Sequence, residues 1–170
     1  MAETVPPADP EAVARAVVFR RLTLAPRTRA ELQRSLRDRL VPDDVAATVL
    51  DRFTELGLID DVQYAESFTE SRRRRGGWSR RAIAAKLSQR GVPRDVATEA
   101  LAQVSGDDEL QTALDLARRR WSRSPGIDPA VRRRRMAGML ARRGYSASIV
   151  SHVLTEFEES GESGEDVDGC

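Results

Sequence analysis

Apolar residues in this chain recur three and four positions apart, the spacing of one helical face, in segments punctuated by proline, glycine and capping residues. The first predicted helix runs from about Pro10 to Leu22, with Val13, Ala16 and Val17 on one face, and Pro26 stops its continuation. Thr28 and Glu31 form a capping box that opens a second helix burying Leu32 and Leu36. Pro42 suits the first turn of a third, where Val45, Val49, Phe53 and Leu56 share a face before Gly57 ends it. The same three-part pattern returns twice. Asp60 or Asp61 caps a helix with Tyr64, Ala65 and Phe68 inward; Gly76 and Gly77 break it; Ser79 caps the next; Gly91 and Pro93 separate it from the third. A last set starts near Asp107 with Leu110, Leu114 and Ala117, resumes over Met136 and Leu140, turns at Gly144, caps at Ser146 and closes on Ile149, Val153 and Phe157.

These recurrences are one repeat in three copies. A shift of 51 sets Leu32 on Ile83, Leu36 on Leu87, Pro42 on Pro93 and Leu50 on Leu101. A further shift of 53 sets Ile83 on Met136, Leu87 on Leu140, Arg90 on Arg143, Gly91 on Gly144 and Leu101 on Leu154. A unit of about 50 residues is marginal as an independent fold, so tandem packing is expected. The predicted fold is all-α: three tandem three-helix, helix-turn-helix-like repeats over residues 11–60, 61–106 and 107–158, forming an elongated curved array. Residues 1–10 and the acidic tail 159–170 are expected to be disordered.

Composition narrows the function. No apolar run approaches the roughly 20 residues that span a bilayer, and Met1 to Pro10 has neither the basic nor the apolar region of a secretory signal, so a cytoplasmic protein is expected. The single cysteine, Cys170, excludes a disulfide framework and a cysteine-based zinc site. The formal charge of +1 conceals an asymmetry. From Glu156 onward every charged residue is an acid, and with Glu3 and Asp9 set aside as well, residues 11–155 carry 28 bases against 18 acids; every base but Lys86 is arginine. A basic body with an acidic end points to nucleic-acid or filament partners.

The arginines cluster. Arg72, Arg73, Arg74 and Arg75 end one predicted helix and Arg80 and Arg81 begin the next, around Gly76, Gly77 and Trp78. Guanidinium groups match phosphate and carboxylate in bidentate geometry, and Trp78 offers a ring to stack on a base or fill a partner's pocket. In the third copy, Arg118, Arg119, Arg120 and Arg123 flank Trp121, and Arg132, Arg133, Arg135, Arg142 and Arg143 follow on the next helix. Consecutive arginines cannot share one helical face, so part of each run serves solubility. His152 is the only histidine and lacks a partner for general-base chemistry; no phosphate-binding glycine loop or metal-ligand spacing occurs. The chain therefore reads as a non-enzymatic, macromolecule-binding protein without a cofactor.

The block Gly57-Leu58-Ile59-Asp60-Asp61-Val62-Gln63-Tyr64-Ala65, the capped Thr28–Leu32 helix, Arg80-Arg81-Ala82-Ile83 with Leu87 to Gly91, and Leu140-Ala141-Arg142-Arg143-Gly144-Tyr145 together resemble the RecX family of recombination regulators over about residues 11–157. Leu40 departs from the family, which usually has glycine after the second helix, as at Gly91 and Gly144. The resemblance implies a monomeric partner of the RecA nucleoprotein filament, inhibiting its ATPase, strand exchange and extension and so modulating recombination, repair and the SOS response. Direct contact with single-stranded DNA stays open. Two other readings of the residues are a helix-turn-helix-like DNA-binding protein and a helical scaffold for a protein partner. Against the first, Val45 to Leu56 and Ile149 to Phe157 read as core and acidic surface rather than base-reading helices.

Overall fold

A computed structural model describes residues 9–123 and 126–162, and among these the chain forms nine helices and no strand. They are α1 (Pro10–Leu24), α2 (Arg29–Arg37), α3 (Asp43–Glu55), α4 (Asp61–Gly76), α5 (Arg80–Gln89), α6 (Arg94–Ala102), α7 (Gly106–Trp121), α8 (Pro129–Arg142) and α9 (Ala147–Glu162). Local chemistry sets the boundaries. Asp9 caps α1 by accepting from the Ala12 amide at 2.9 Å. Thr28 and Glu31 form the expected reciprocal capping box on α2, and Ser105 with Asp108 forms a second on α7. In that second box Ser105 holds the exposed Asp108 carboxyl below its ordinary pKa by hydrogen bonding to its charged form. Pro42 precedes α3 as its cap residue instead of standing in its first turn.

The repeats do not each own a core. The chain divides into two compact units, one built on Met1–Phe68 with Ala85–Ala100, the other on Thr69–Ala84 with Leu101–Cys170, so the second repeat is shared out between them. The first unit buries Ala14, Val17 and Val18 of α1 against Leu32 and Leu36 of α2 and Ala46, Val49 and Leu50 of α3. The second buries Ala113, Leu114 and Ala117 of α7, Met136 and Leu140 of α8, and Val153 and Leu154 of α9. Val17 and Val49 are buried and Val13, Val45 and Phe53 pack on the first unit's core as expected, but two expected core positions are not buried. Ala16 is exposed while Ala14 and Val18 are buried on α1, and Leu56 is exposed while Ala46 and Leu50 carry α3. α9 continues to Glu162, and the expected disordered segments lie, for residues 1–8 and 163–170, outside the described residues.

A set of contacts joins consecutive repeats, once within each unit. In the first unit the buried Thr28 hydroxyl donates to the Arg90 carbonyl at 2.6 Å, and the Arg29 amide donates to Asp61 at 2.9 Å. In the second unit, the Ser79 amide donates to the Arg143 carbonyl at 3.1 Å and the Arg80 amide to Glu109 at 3.0 Å. The first turn of a repeat's second helix is thus satisfied by the following repeat's turn and by an acid on its first helix, which removes orphan amides that burial would penalise. Asp60 and Asp61 divide the work: Asp60 caps α4 through the Gln63 amide at 2.8 Å, and Asp61 reaches back to α2. Partial burial pushes the Asp61 carboxyl above its ordinary pKa, against the lowering effect of Arg29.

That close approach explains the glycines. Gly91 and Gly144 adopt φ of 78° and 86°. A Cβ at Gly91 would collide with the Ala30 Cβ, and one at Gly144 would lie 2.6 Å from Ser79 Oγ and 2.8 Å from Ala82 Cβ. Leu40, the departure noted above, takes the same left-handed conformation at φ 58° but keeps a side chain that is 37% exposed. Left-handed backbone costs a leucine about 1–2 kcal/mol, and here no tight backbone approach demands its removal. Leu40→Gly is therefore expected to be neutral or stabilising by up to about 1 kcal/mol, after allowance for the more flexible unfolded chain. Gly91→Ala, combining strain with a clash, is expected to cost at least about 2 kcal/mol. Urea unfolding of the two variants checks the opposed outcomes; equal losses at the two positions would contradict the account.

Candidate anion-binding groove

Within the second unit, the basic turn between α4 and α5 is held to the turn after α8 by backbone and buried side-chain bonds. Tyr145, only 4% exposed, donates its phenol to the Gly77 carbonyl at 3.1 Å. Burial pushes that phenol up to about 12. The Ser79 bond to Arg143 fixes the same turn two residues on. Gly77 carries no Cβ because one would press on Leu116 at 3.1 Å. Trp78 folds back over Gly76, where a Cβ would meet the ring at 2.7 Å, and Arg72 lies 5.3 Å from the ring centroid.

These restraints bring Arg75 beside the end of α7 and the outer face of α8. An open groove of about 720 Å³ results, lined by Arg75, Arg119, Arg120, Arg123, Arg134, Arg135, Arg142 and Arg143, with Leu116, Gly138 and Met139 between them. Among the described residues no acidic side chain lines it. Each helix contributes one stripe: residues 116, 119, 120 and 123 on α7 and its end, and 135, 138, 139 and 142 on α8, recur at helical spacing. The last turns of α4 and α7 add arginine where a helix C-terminus favours positive charge. Eight guanidiniums facing one cleft form a site for phosphate or carboxylate groups, which take paired N–H donors.

The remaining candidate arginines go elsewhere. Arg73 pairs with Glu70 at 3.1 Å, and Arg74 pairs with the same carboxylate. Arg118 meets Asp115 at 3.2 Å and Glu156 at 3.6 Å, and Arg133 meets Glu158 at 3.0 Å. Arg132 stacks 3.6 Å above Trp121 and donates to its carbonyl at 3.1 Å, so that tryptophan, packed 5.1 Å from Phe157, belongs to the core. Arg80 and Arg81 line a smaller cleft of about 300 Å³ together with Glu109. Arg134 also lines the groove, and its place four residues before Gly138 and eight before Arg142 could have marked it. In the first unit, Arg90 bonds Glu31 at 3.1 Å and the Tyr64 hydroxyl at 2.6 Å, and is structural. Arg21, Arg27 and Arg34 share a cleft of about 180 Å³ there with Glu31, which sequence reasoning also missed. Among the described residues no group of histidine, cysteine or acidic side chains is arranged to hold a metal ion, and no helix is long and apolar enough to cross a membrane.

Tandem three-helix repeats with eight arginines gathered along one groove define a helical-repeat protein with a strongly basic surface cleft. Comparison with known proteins is specific. Family models for the first, second and third three-helix domains of RecX match residues 14–53, 60–101 and 107–154 in order. The regulatory protein RecX of Thermobifida fusca is 47% identical over 154 residues, spanning 91% of this chain and 83% of that protein. RecX of Streptomyces coelicolor is 43% identical over 161 residues (94% and 86%). The crystal structure of RecX from Lactobacillus salivarius superposes with a TM-score of 0.74 at 22% identity, covering 89% of this chain and 99% of that one. The chain belongs to the RecX family of regulatory proteins.

Tyr145→Phe is expected to destabilise the second unit by about 1–2 kcal/mol, since it leaves the buried Gly77 carbonyl without a donor. The raised phenol pKa sets a pH window as well. The neutral phenol is favoured by folding, so its stabilisation is intact below the free phenol's value of about 10 and is lost as pH rises towards about 12. Alkaline unfolding followed by circular dichroism should show a steeper loss over that window in the parent than in Tyr145→Phe. Identical alkaline profiles would remove the phenol from the account.

Proposed function

We propose that the protein binds the RecA–single-strand DNA filament as a monomer and inhibits its ATPase, strand exchange and extension, so modulating recombination and DNA repair. The observation that carries this reading is the acid-free groove of eight arginines, on a chain that belongs to a family of regulatory proteins. A nucleoprotein filament presents phosphates and carboxylates in register, the two groups that guanidinium recognises best. The relatives are regulatory proteins by name, which supports a regulatory role over a catalytic one. The groove also favours this reading over a duplex-reading helix-turn-helix. The third helix of the first repeat, where base-reading residues would stand, opens with the exposed acids Asp43 and Asp44, which phosphates repel.

The direct test is the DNA-dependent ATPase of the cognate RecA, titrated with this protein below one-to-one stoichiometry at low salt. The rate is expected to fall progressively, and the inhibition to weaken steeply as salt is raised, because each neutralised phosphate releases counterions. An unchanged ATPase with fully helical protein at low salt would overturn the proposal. Inhibition indifferent to salt would remove the groove's electrostatic part in it.

A further inference from the structure

The first unit holds a second, smaller basic cleft with a different chemistry. Arg21 stands in the last turn of α1, Arg27 in the link that follows, and Arg34 in the last turn of α2. With Leu32 and Ser35 they line an opening of about 180 Å³, a quarter of the groove's 720 Å³. It has room for one small anion and not for a length of polymer.

The one carboxylate in the cleft, Glu31, is already engaged. One of its oxygens accepts from the Thr28 amide at 3.2 Å, and the other pairs with Arg90 at 3.1 Å. Ser35 donates its hydroxyl to the Glu31 carbonyl at 3.0 Å. The guanidiniums are underused by comparison. Arg34 spends one N–H on the Gln89 carbonyl at 3.3 Å. Among the described residues Arg21 and Arg27 enter no salt bridge. Arg27 is half-buried, and its Nε is buried with no hydrogen-bond acceptor. A buried donor left unsatisfied is costly, and folded proteins keep few of them. An oxyanion in the cleft supplies the missing acceptor, gripped side-on by Nε–H and one terminal N–H of Arg27.

The arrangement also selects among oxyanions. Guanidiniums arriving from three elements suit a tetrahedral group with three free oxygens better than a carboxylate, whose two oxygens share one plane. Three positive charges against one negative leave two to neutralise. A phosphate monoester carries about −1.5 to −2 at neutral pH and matches that excess; a diester, with a single charge, does not. We propose that the α1–α2 cleft binds a phosphate monoester group, with Arg27 as its principal ligand and Arg21 and Arg34 as flanking donors. The proposal stands apart from the filament reading and is tested without RecA.

The probe is methyl phosphate, titrated into the full chain at low salt and followed through the arginine Nε–H signals by NMR. Arg27 is identified as the signal that Arg27→Lys removes. It is expected to shift saturably. Arg21→Ala with Arg34→Ala should weaken that binding at least about ten-fold. Arg135→Ala with Arg142→Ala, which strips the groove, should leave it within about two-fold. Dimethyl phosphate, the diester counterpart, should bind at least about three-fold more weakly than methyl phosphate. Two further ligands separate the sources of such a group. Tighter binding of a 5′-phosphorylated oligothymidylate than of its 5′-hydroxyl form assigns a strand end, and binding of AMP without that preference assigns a free nucleotide; either supports the proposal. No saturable shift at Arg27, or equal affinity for monoester and diester, would overturn it. So would binding lost in the groove variant but kept in the Arg21, Arg34 variant. Circular dichroism checks folding; if the Arg21, Arg34 variant loses helicity, the monoester–diester comparison at Arg27 of the parent still decides.

Discussion

The groove depends on one recurrent contact, the seating of a repeat's turn on the start of the preceding repeat's second helix. In the second unit this is the Ser79 amide on the Arg143 carbonyl, with Gly144 pressed against Ser79 and Ala82. Its energetic basis is that buried amides at a helix start must find acceptors, and the next repeat's backbone supplies them. Its functional consequence follows directly. The Arg72–Arg75 run belongs to the second repeat and the Arg142–Arg143 pair to the third, and only this junction, with Tyr145 on Gly77, sets Arg75 beside Arg142 and Arg143. Eight like charges repel one another, so the cluster persists because neutral backbone bonds, not the arginines themselves, hold the helices that carry it.

The first unit uses the same junction for a different end. Thr28, Arg29 and Glu31 of the first repeat receive Arg90, Asp61 and Tyr64 of the second, and Arg90 is absorbed between Glu31 and the Tyr64 and Phe68 rings. One contact thus serves packing in one unit and site construction in the other. The difference lies beside the turn: Gln89 precedes Arg90, whereas Arg142 precedes Arg143 and the Arg72–Arg75 run of the preceding repeat ends beside it.

Much of this was legible in the sequence. The capping box at Thr28 and the turns at Gly57, Gly91 and Gly144 follow from local rules, because caps and left-handed turns constrain residue type strongly; the three-copy frame came from matching the chain against itself, and Leu40 stood out only against the family resemblance. The core faces of α1 and α3 were legible at Val13, Val17, Val45, Val49 and Phe53 but not at Ala16 and Leu56, which are exposed, since alanine at 14, 16 and 46 fits either face by composition and only packing chooses. The division into two units was not legible, because it depends on how the second repeat's helices are shared out. The groove was legible as two basic clusters but not as one cleft. The runs at Arg72–Arg75 and Arg132–Arg135 hide which member points where; side-chain acids at Glu70, Asp115, Glu156 and Glu158 claim several candidates, and Trp121 turns inward with Arg132 stacked on it.

The central claim is that the α7–α8 groove, and not diffuse positive charge, is the filament-binding surface. The most direct measurement is the affinity for the assembled RecA–single-strand DNA filament of two chains with equal loss of charge. One carries Arg119→Ala, Arg135→Ala and Arg142→Ala in the groove; the other carries Arg15→Ala, Arg37→Ala and Arg52→Ala, exposed arginines of the first unit that pair with local acids. The account predicts at least about a ten-fold loss for the groove chain, on the usual scale of charged contacts, and little change for the other. Equal affinities, or equal losses, would contradict it.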